Sequence, residues 1–143
     1  MFKKILVAVD GSSNSDRAVE AAAALAGAAR TGLVICHAFH IPDHYRSDLA
    51  DSLEDALRED AEDILDHASR VATAADVQAE TRLLSKGHPA EAVLAFADEI
   101  QADLIVVGIR GRTPDTARSM GSVSSAVSSG ASCSVLLVRK AAS

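Results

Sequence analysis

Large rings are nearly missing from this chain, which has no tryptophan, one tyrosine and three phenylalanines in 143 residues. Its core must therefore be built from Ala, Val, Leu and Ile, a mix that suits strands packed under close-fitting, alanine-rich helices. Cysteine is scarce as well. Cys36 and Cys133 stand in apolar runs with no CxxC spacing, so they read as buried thiols of a reducing compartment and not as a disulfide framework. Positive charge is in deficit, 14 Lys and Arg against 20 Asp and Glu, and the formal charge of −6 excludes a general nucleic-acid binder, which needs a basic face. A local cradle for one nucleotide is still allowed. No apolar run approaches a membrane span, and Met1-Phe2-Lys3-Lys4 leads straight into a short strand without the apolar region or cleavage site of a signal peptide. Internal repeats, linkers and low-complexity tracts are also lacking. The expectation is one domain over residues 1–143, cytoplasmic and without membrane insertion.

What the chain does contain is a regular alternation. Lys4-Ile5-Leu6-Val7-Ala8-Val9 is a continuous apolar, β-branched run, the mark of a strand buried on both faces. Asp10-Gly11-Ser12-Ser13 then forms a turn and capping cluster. Residues 14–30 place Ala18, Ala22, Leu25, Ala26 and Ala29 at helical spacing, with Gly32 expected just past the helix end. A second buried strand follows over residues 33–39, then a loop over residues 40–45. A long helix over residues 47–75 carries Leu49, Leu53, Leu57, Ala61, Leu65 and Ala68 on one stripe and a run of carboxylates on the other, which reads as a solvated face. Residues 77–84 alternate apolar and polar, as a strand nearer an edge does. Gly87-His88-Pro89 punctuates, and residues 90–100 form a compact amphipathic helix. The strand Leu104 to Val107, a helix from Gly121 to about Ser129 with Gly130 as its stop, and the strand Ser134 to Val138 complete the order β-α-β-α-β-α-β-α-β. Such an order means a parallel sheet wound on both faces, a three-layer α/β sandwich.

The chemistry concentrates after the fourth strand. Val106-Val107-Gly108-Ile109-Arg110-Gly111 ends an apolar run in two glycines, and nine residues after Gly111 comes Gly121-Ser122-Val123-Ser124. Glycine lets a backbone lie against a ligand, and a glycine opening a helix beside two serines leaves N–H groups and hydroxyls for an anion. The same glycines also serve plain turns, and both readings stand at this level. In doubly wound sheets ligands bind beyond the strand C-termini where strand order reverses. If the first and fourth strands are neighbours there, Asp10 and the glycine loop face one crevice. Asp10 has a second reading as a helix cap, and Arg110 and Arg112 read either as charged contacts or as solvated loop residues. His37, His40 and His44 invite a metal, but they mix strand and loop without ligand spacing. The serines near residue 122 include no GxSxG elbow.

These residues resemble the universal stress protein family along the whole chain. The family's nucleotide motif is Gly, two residues, Gly, nine residues, Gly and then Ser or Thr, which Gly108, Gly111, Gly121 and Ser122 meet without a spacing error. The opening Lys4 to Ser12, the turn Gly87-His88-Pro89-Ala90-Glu91 and the run from Gly121 to Cys133 fall in the family's order. Two departures are Ser134, where the family usually has proline, and Pro114-Asp115 inside the nine-residue loop. The resemblance implies a five-stranded parallel sheet in the order 3-2-1-4-5 and membership of the ATP-binding branch. It implies that Ala8, Val9 and Asp10 meet the adenosine end, with Asp10 near ribose or base, and that Ala38 offers backbone to adenine. Val107, Gly108, Arg110 and Gly111 would wrap ribose and phosphates, and Gly121, Ser122, Val123 and Ser124 would hold the phosphates. Any Mg2+ would be held mainly by the phosphates themselves.

The resulting expectation is an ATP-binding regulator or sensor of the stress response with a regulatory protein partner. The alternatives are a slow ATPase and a structural dimer scaffold whose nucleotide is incidental. Efficient catalysis is not expected, because no Walker lysine, arginine finger or placed general base is visible. A homodimer through Val135, Leu136, Leu137 and Val138 is also expected, since that run is apolar throughout and the inferred strand order puts it at a sheet edge.

Overall fold

A computed structural model describes residues 2–40, 48–109 and 121–139. The order is β1 (Lys4–Ala8), α1 (Ser13–Ala29), β2 (Gly32–Ala38), α2 (Asp48–Ala74), β3 (Ala79–Leu84), α3 (Pro89–Glu99), β4 (Leu104–Gly108), α4 (Ser122–Gly130) and β5 (Ser134–Val138). All strand pairs are parallel, and the sheet runs β3-β2-β1-β4-β5, as the alternation and the resemblance predict. The three central strands are the largely apolar runs, because a strand covered on both faces takes a polar side chain, such as His37 of β2, only where that side chain finds a partner. The alternating segment, β3, lies at an edge.

Successive strand residues point to opposite faces, and the two cores divide accordingly. On one face Ile5, Val7, Leu33, Ile35, Leu104 and Val106 pack under Ala18, Val19 and Ala22 of α1 and Leu65, Ala68 and Ala72 of α2. On the other, Leu6, Val34, Cys36, Ile105 and Val107 pack under Val93, Phe96 and Ala97 of α3 and Val127 of α4. Cys36 is fully buried, and burial pushes its thiol up to about 12, so it stays neutral and inert. Cys133 is half-buried, and both cysteines are free. At the N-terminal end of the central strands, Asp103 accepts from the backbone N–H groups of Lys3 (2.7 Å) and Lys4 (3.1 Å), bonds that hold its carboxyl below the usual range and lock β1 beside β4.

Two helix ends differ from the sequence expectation. Gly32 does not close α1: Arg30 takes the left-handed conformation (φ 52°, ψ 50°), its N–H donating to Ala26 and Gly27 carbonyls, and Gly32 already begins β2. Gly130 does not follow α4 as its stop but is its last residue, with Ala131 as the cap, and a Cβ on it would sit 2.9 Å from Leu94 Cδ1 of α3. Its role is close approach of two helices. Pro89 does open α3, where a missing N–H costs nothing.

Candidate functional site

β1 and β4 are neighbours at the centre of the sheet, but their following helices leave in opposite directions. α1 covers the face shared with α2, and α4 covers the face shared with α3. By the general rule for doubly wound sheets, this divergence makes the crevice expected beyond Ala8 and Gly108, the switch-point position, the candidate ligand site. Ala8 and Ala38, the last residues of β1 and β2, are half-buried there, and Val9 and Val107 are buried. The β1–β2 ladder runs one residue past the strand, through a 2.9 Å bond from Val9 N–H to the Cys36 carbonyl.

Asp10 follows at once and is held by a local turn. Its Oδ1 accepts from Ser12 N–H at 2.9 Å, while its other oxygen has no partner among the described residues. The cap of α1 is Ser12, which accepts from Ser15 N–H at 3.2 Å, so the helix-cap reading of Asp10 gives way to a turn feeding the cap. Gly11, at φ 86°, makes that turn and lies where a Cβ would meet the Ile64 side chain of α2 at 3.1 Å. Gly108 is a glycine for a reason that spacing alone did not show. A Cβ on it would meet backbone atoms of Asn14 at 3.1 Å, so its bareness lets the first turn of α1 lie against the end of β4.

The two helix N-termini at the crevice are unlike. The first turn of α1 is closed by the Ser12 hydroxyl. α4 begins at Gly121 (φ −65°, ψ 159°), which has no side chain with which to cap it, and no acidic residue stands in its first turn. The first intrahelical bond is Ser125 N–H to the Gly121 carbonyl, 3.0 Å, so the N–H groups of Ser122, Val123 and Ser124 precede any carbonyl of their own helix. With the helix dipole they form the kind of open terminus at which an anion is favoured. Ser122 and Val123 are exposed at this turn.

Ser124 behaves differently from the outward hydroxyl expected. It is buried, and its Oγ donates to the Ile109 carbonyl at 2.7 Å, with the Gly121 carbonyl 3.1 Å away. The Ile109 carbonyl also receives Gly121 N–H at 2.8 Å, and Ile109 N–H donates to Val138 at 3.0 Å. The start of α4 is thus pinned to the end of β4, and the Ser124 side chain serves this joint. Ser124→Ala should lower stability by about 1 kcal/mol, the usual worth of one buried hydrogen bond. A urea titration with an unchanged midpoint would contradict it. Arg110 and Gly111, predicted to wrap the nucleotide, and Arg112, Pro114 and Asp115 lie outside the described residues, as does His44.

Among the described residues no group of three or more His, Cys, Asp or Glu is placed to hold a metal. His37 is buried with Nδ1 2.7 Å from the Val9 carbonyl, and His40 stacks on His88 with ring centroids 4.7 Å apart. His37 is the site-adjacent residue that a metal-centred reading passes over. An imidazole inside an apolar strand, one position before Ala38, was the available signal.

A fold of this kind recurs in solved structures. One is a universal stress protein in complex with cAMP, 33% identical, covering 98% of this chain and 99% of its own, with a TM-score of 0.77. Another is the universal stress protein of Archaeoglobus fulgidus in complex with dAMP, 28% identical, covering 95% of this chain and 97% of its own, with a TM-score of 0.73. In sequence, universal stress protein YxiE of Bacillus subtilis is 35% identical over 97% of this chain and 100% of its own length. The family's model, described as the universal stress protein family, matches residues 1–139. Similar from one end to the other in both sequence and fold, the chain belongs to the universal stress protein family.

Proposed function

We propose that residues 1–143 act as one cytoplasmic domain that binds ATP in the crevice between β1 and β4 and serves as a nucleotide-dependent regulator in the stress response. The observation that carries this reading is the uncapped first turn of α4, fastened to the end of β4 through the Ile109 carbonyl. It offers N–H groups to phosphate at the switch point, where doubly wound sheets generally take ligands. Solved relatives with cAMP and dAMP support an adenine nucleotide, and the Gly108, Gly111, Gly121, Ser122 spacing favours the triphosphate. In this reading Ala8, Val9, Asp10 and Ala38 meet the adenosine. Val107, Gly108, Arg110 and Gly111 lie along ribose and phosphates, and the backbone of Gly121, Ser122, Val123 and Ser124 holds the phosphates, which carry any Mg2+. A nucleotide seated so would bridge β1 and α4 and change the surface offered to a protein partner.

Calorimetry with ATP and adenosine tests it. ATP should bind more tightly than adenosine, since only ATP engages the α4 terminus. Equal affinities would mean that this terminus is idle and the reading wrong. Turnover is expected to be far below the range of about 1 to 1,000 per second usual for enzymes, because Asp10 already gives one oxygen to Ser12 N–H. A steady-state rate inside that range, lost in Asp10→Asn with binding intact, would make the protein an ATPase.

A further inference from the structure

His37 is 8% exposed, and its Nδ1 lies 2.7 Å from the carbonyl oxygen of Val9, 28 residues away in sequence. A carbonyl only accepts, so the proton of the neutral ring must be on Nδ1. The tautomer is thereby assigned by geometry. That carbonyl belongs to the peptide joining Val9 to Asp10. Val9 N–H is already held by the Cys36 carbonyl at 2.9 Å, and Asp10 Oδ1 by Ser12 N–H at 2.9 Å. The His37 bond is the third constraint on this short stretch, and the one that fixes the plane of the Val9–Asp10 peptide.

We propose that His37 is a positioning residue: its Nδ1–H holds the Val9 carbonyl so that Asp10 presents its free carboxylate oxygen to the ribose hydroxyls of the bound nucleotide. The inference rests on the adenine-nucleotide reading given above. It accounts for an imidazole on a buried strand beside the crevice without asking it to touch the ligand. Without the bond, the peptide can rotate, and a carboxylate that points along several directions recognises a diol less well than a fixed one.

The test uses two substitutions that differ in where they put a donor. His37→Asn places its amide nitrogen near the position of Nδ1, whereas His37→Gln carries its amide to the position of Nε2. Affinities for ATP and 2′,3′-dideoxy-ATP are measured by calorimetry for wild type and both variants. Wild type should prefer ATP, His37→Gln should lose about tenfold of that preference, the worth of one well-made hydrogen bond, and His37→Asn should keep most of it. Affinity for the dideoxy nucleotide should be similar in all three, which a general loss of structure would not give. Full preference retained in His37→Gln overturns the inference while leaving nucleotide binding in place, and so does a wild type that binds both nucleotides equally. A wild type that binds neither overturns the underlying reading and this inference with it. A long-range proton–nitrogen spectrum of the wild type gives a check free of any variant's folding. A proton on Nε2 of neutral His37 would overturn the assignment.

Discussion

Gly121→Val is expected to weaken ATP binding at least about tenfold, on the order of 1.4 kcal/mol, while leaving adenosine binding nearly unchanged. Gly121 has φ −65° and ψ 159°, an extended conformation open to any L residue, so the substitution does not strain the backbone. Valine is a poorer helix cap than glycine, and some stability will be lost for that reason alone. The affinity loss has a separate origin. An isopropyl group at the cap stands beside the N–H groups of Ser122 and Val123, in the space a phosphate must occupy to reach them. The contrast between ATP and adenosine isolates that effect, because adenosine places no charge at the helix terminus. Calorimetry that finds equal ATP affinity in wild type and variant would move the phosphates away from α4.

The glycines show how far such an argument can be read from sequence. Spacing marks Gly108 and Gly121 as places where a ligand wants a bare backbone, and Gly130 reads as a helix stop, but neither reading shows what a Cβ at 108 or 130 would meet. At Gly108 it is the backbone of Asn14, and at Gly130 it is Leu94 of the neighbouring helix. Neither contact is local in sequence. The serines divide in a way that helix phase does indicate. Ser124 and Val127, three apart, share the buried side of α4, whereas Ser122, Ser125, Ser128 and Ser129 are exposed. The central strands were legible because Ile5, Leu6 and Val7, and likewise Leu104 to Val107, are apolar without interruption and buried on both faces. His37 was not legible in the same way. Its role depends on the β1–β2 register, which brings Cys36 opposite Ala8 and so sets the imidazole beside Val9.

Leu136→Asp is expected to abolish self-association, which we propose runs through β5. The two edges of the sheet are built differently. β3 exposes Glu80, Thr81 and Arg82 along its length, the charged and polar positions that keep an open edge from pairing. β5 has nothing comparable. Val135, Leu136, Leu137 and Val138 are all half-buried, with Leu136 and Val138 turned to the α1 side and Val135 and Leu137 to the α3 and α4 side. β4 pairs with one side of β5, and its other side is the edge of the sheet. The first charge after the strand among the described residues is Arg139. Neither core covers these side chains completely, and a second copy related by a two-fold axis would pair β5 with β5 and cover both sets at once. A carboxylate at position 136 would then be buried twice by symmetry. At about 2 kcal/mol for each poorly satisfied polar group, a micromolar dimer becomes roughly millimolar. Light scattering should find a dimer for wild type and a monomer for the variant at micromolar concentration, with circular dichroism reporting whether the monomer is folded. Because Leu136 also packs against its own core, Val138→Asp at the end of the strand supplies the comparison if Leu136→Asp is insoluble. A wild type that is monomeric at micromolar concentration would sink the proposal, and the exposed side of β5 would then have to be covered by something other than a second copy of this chain.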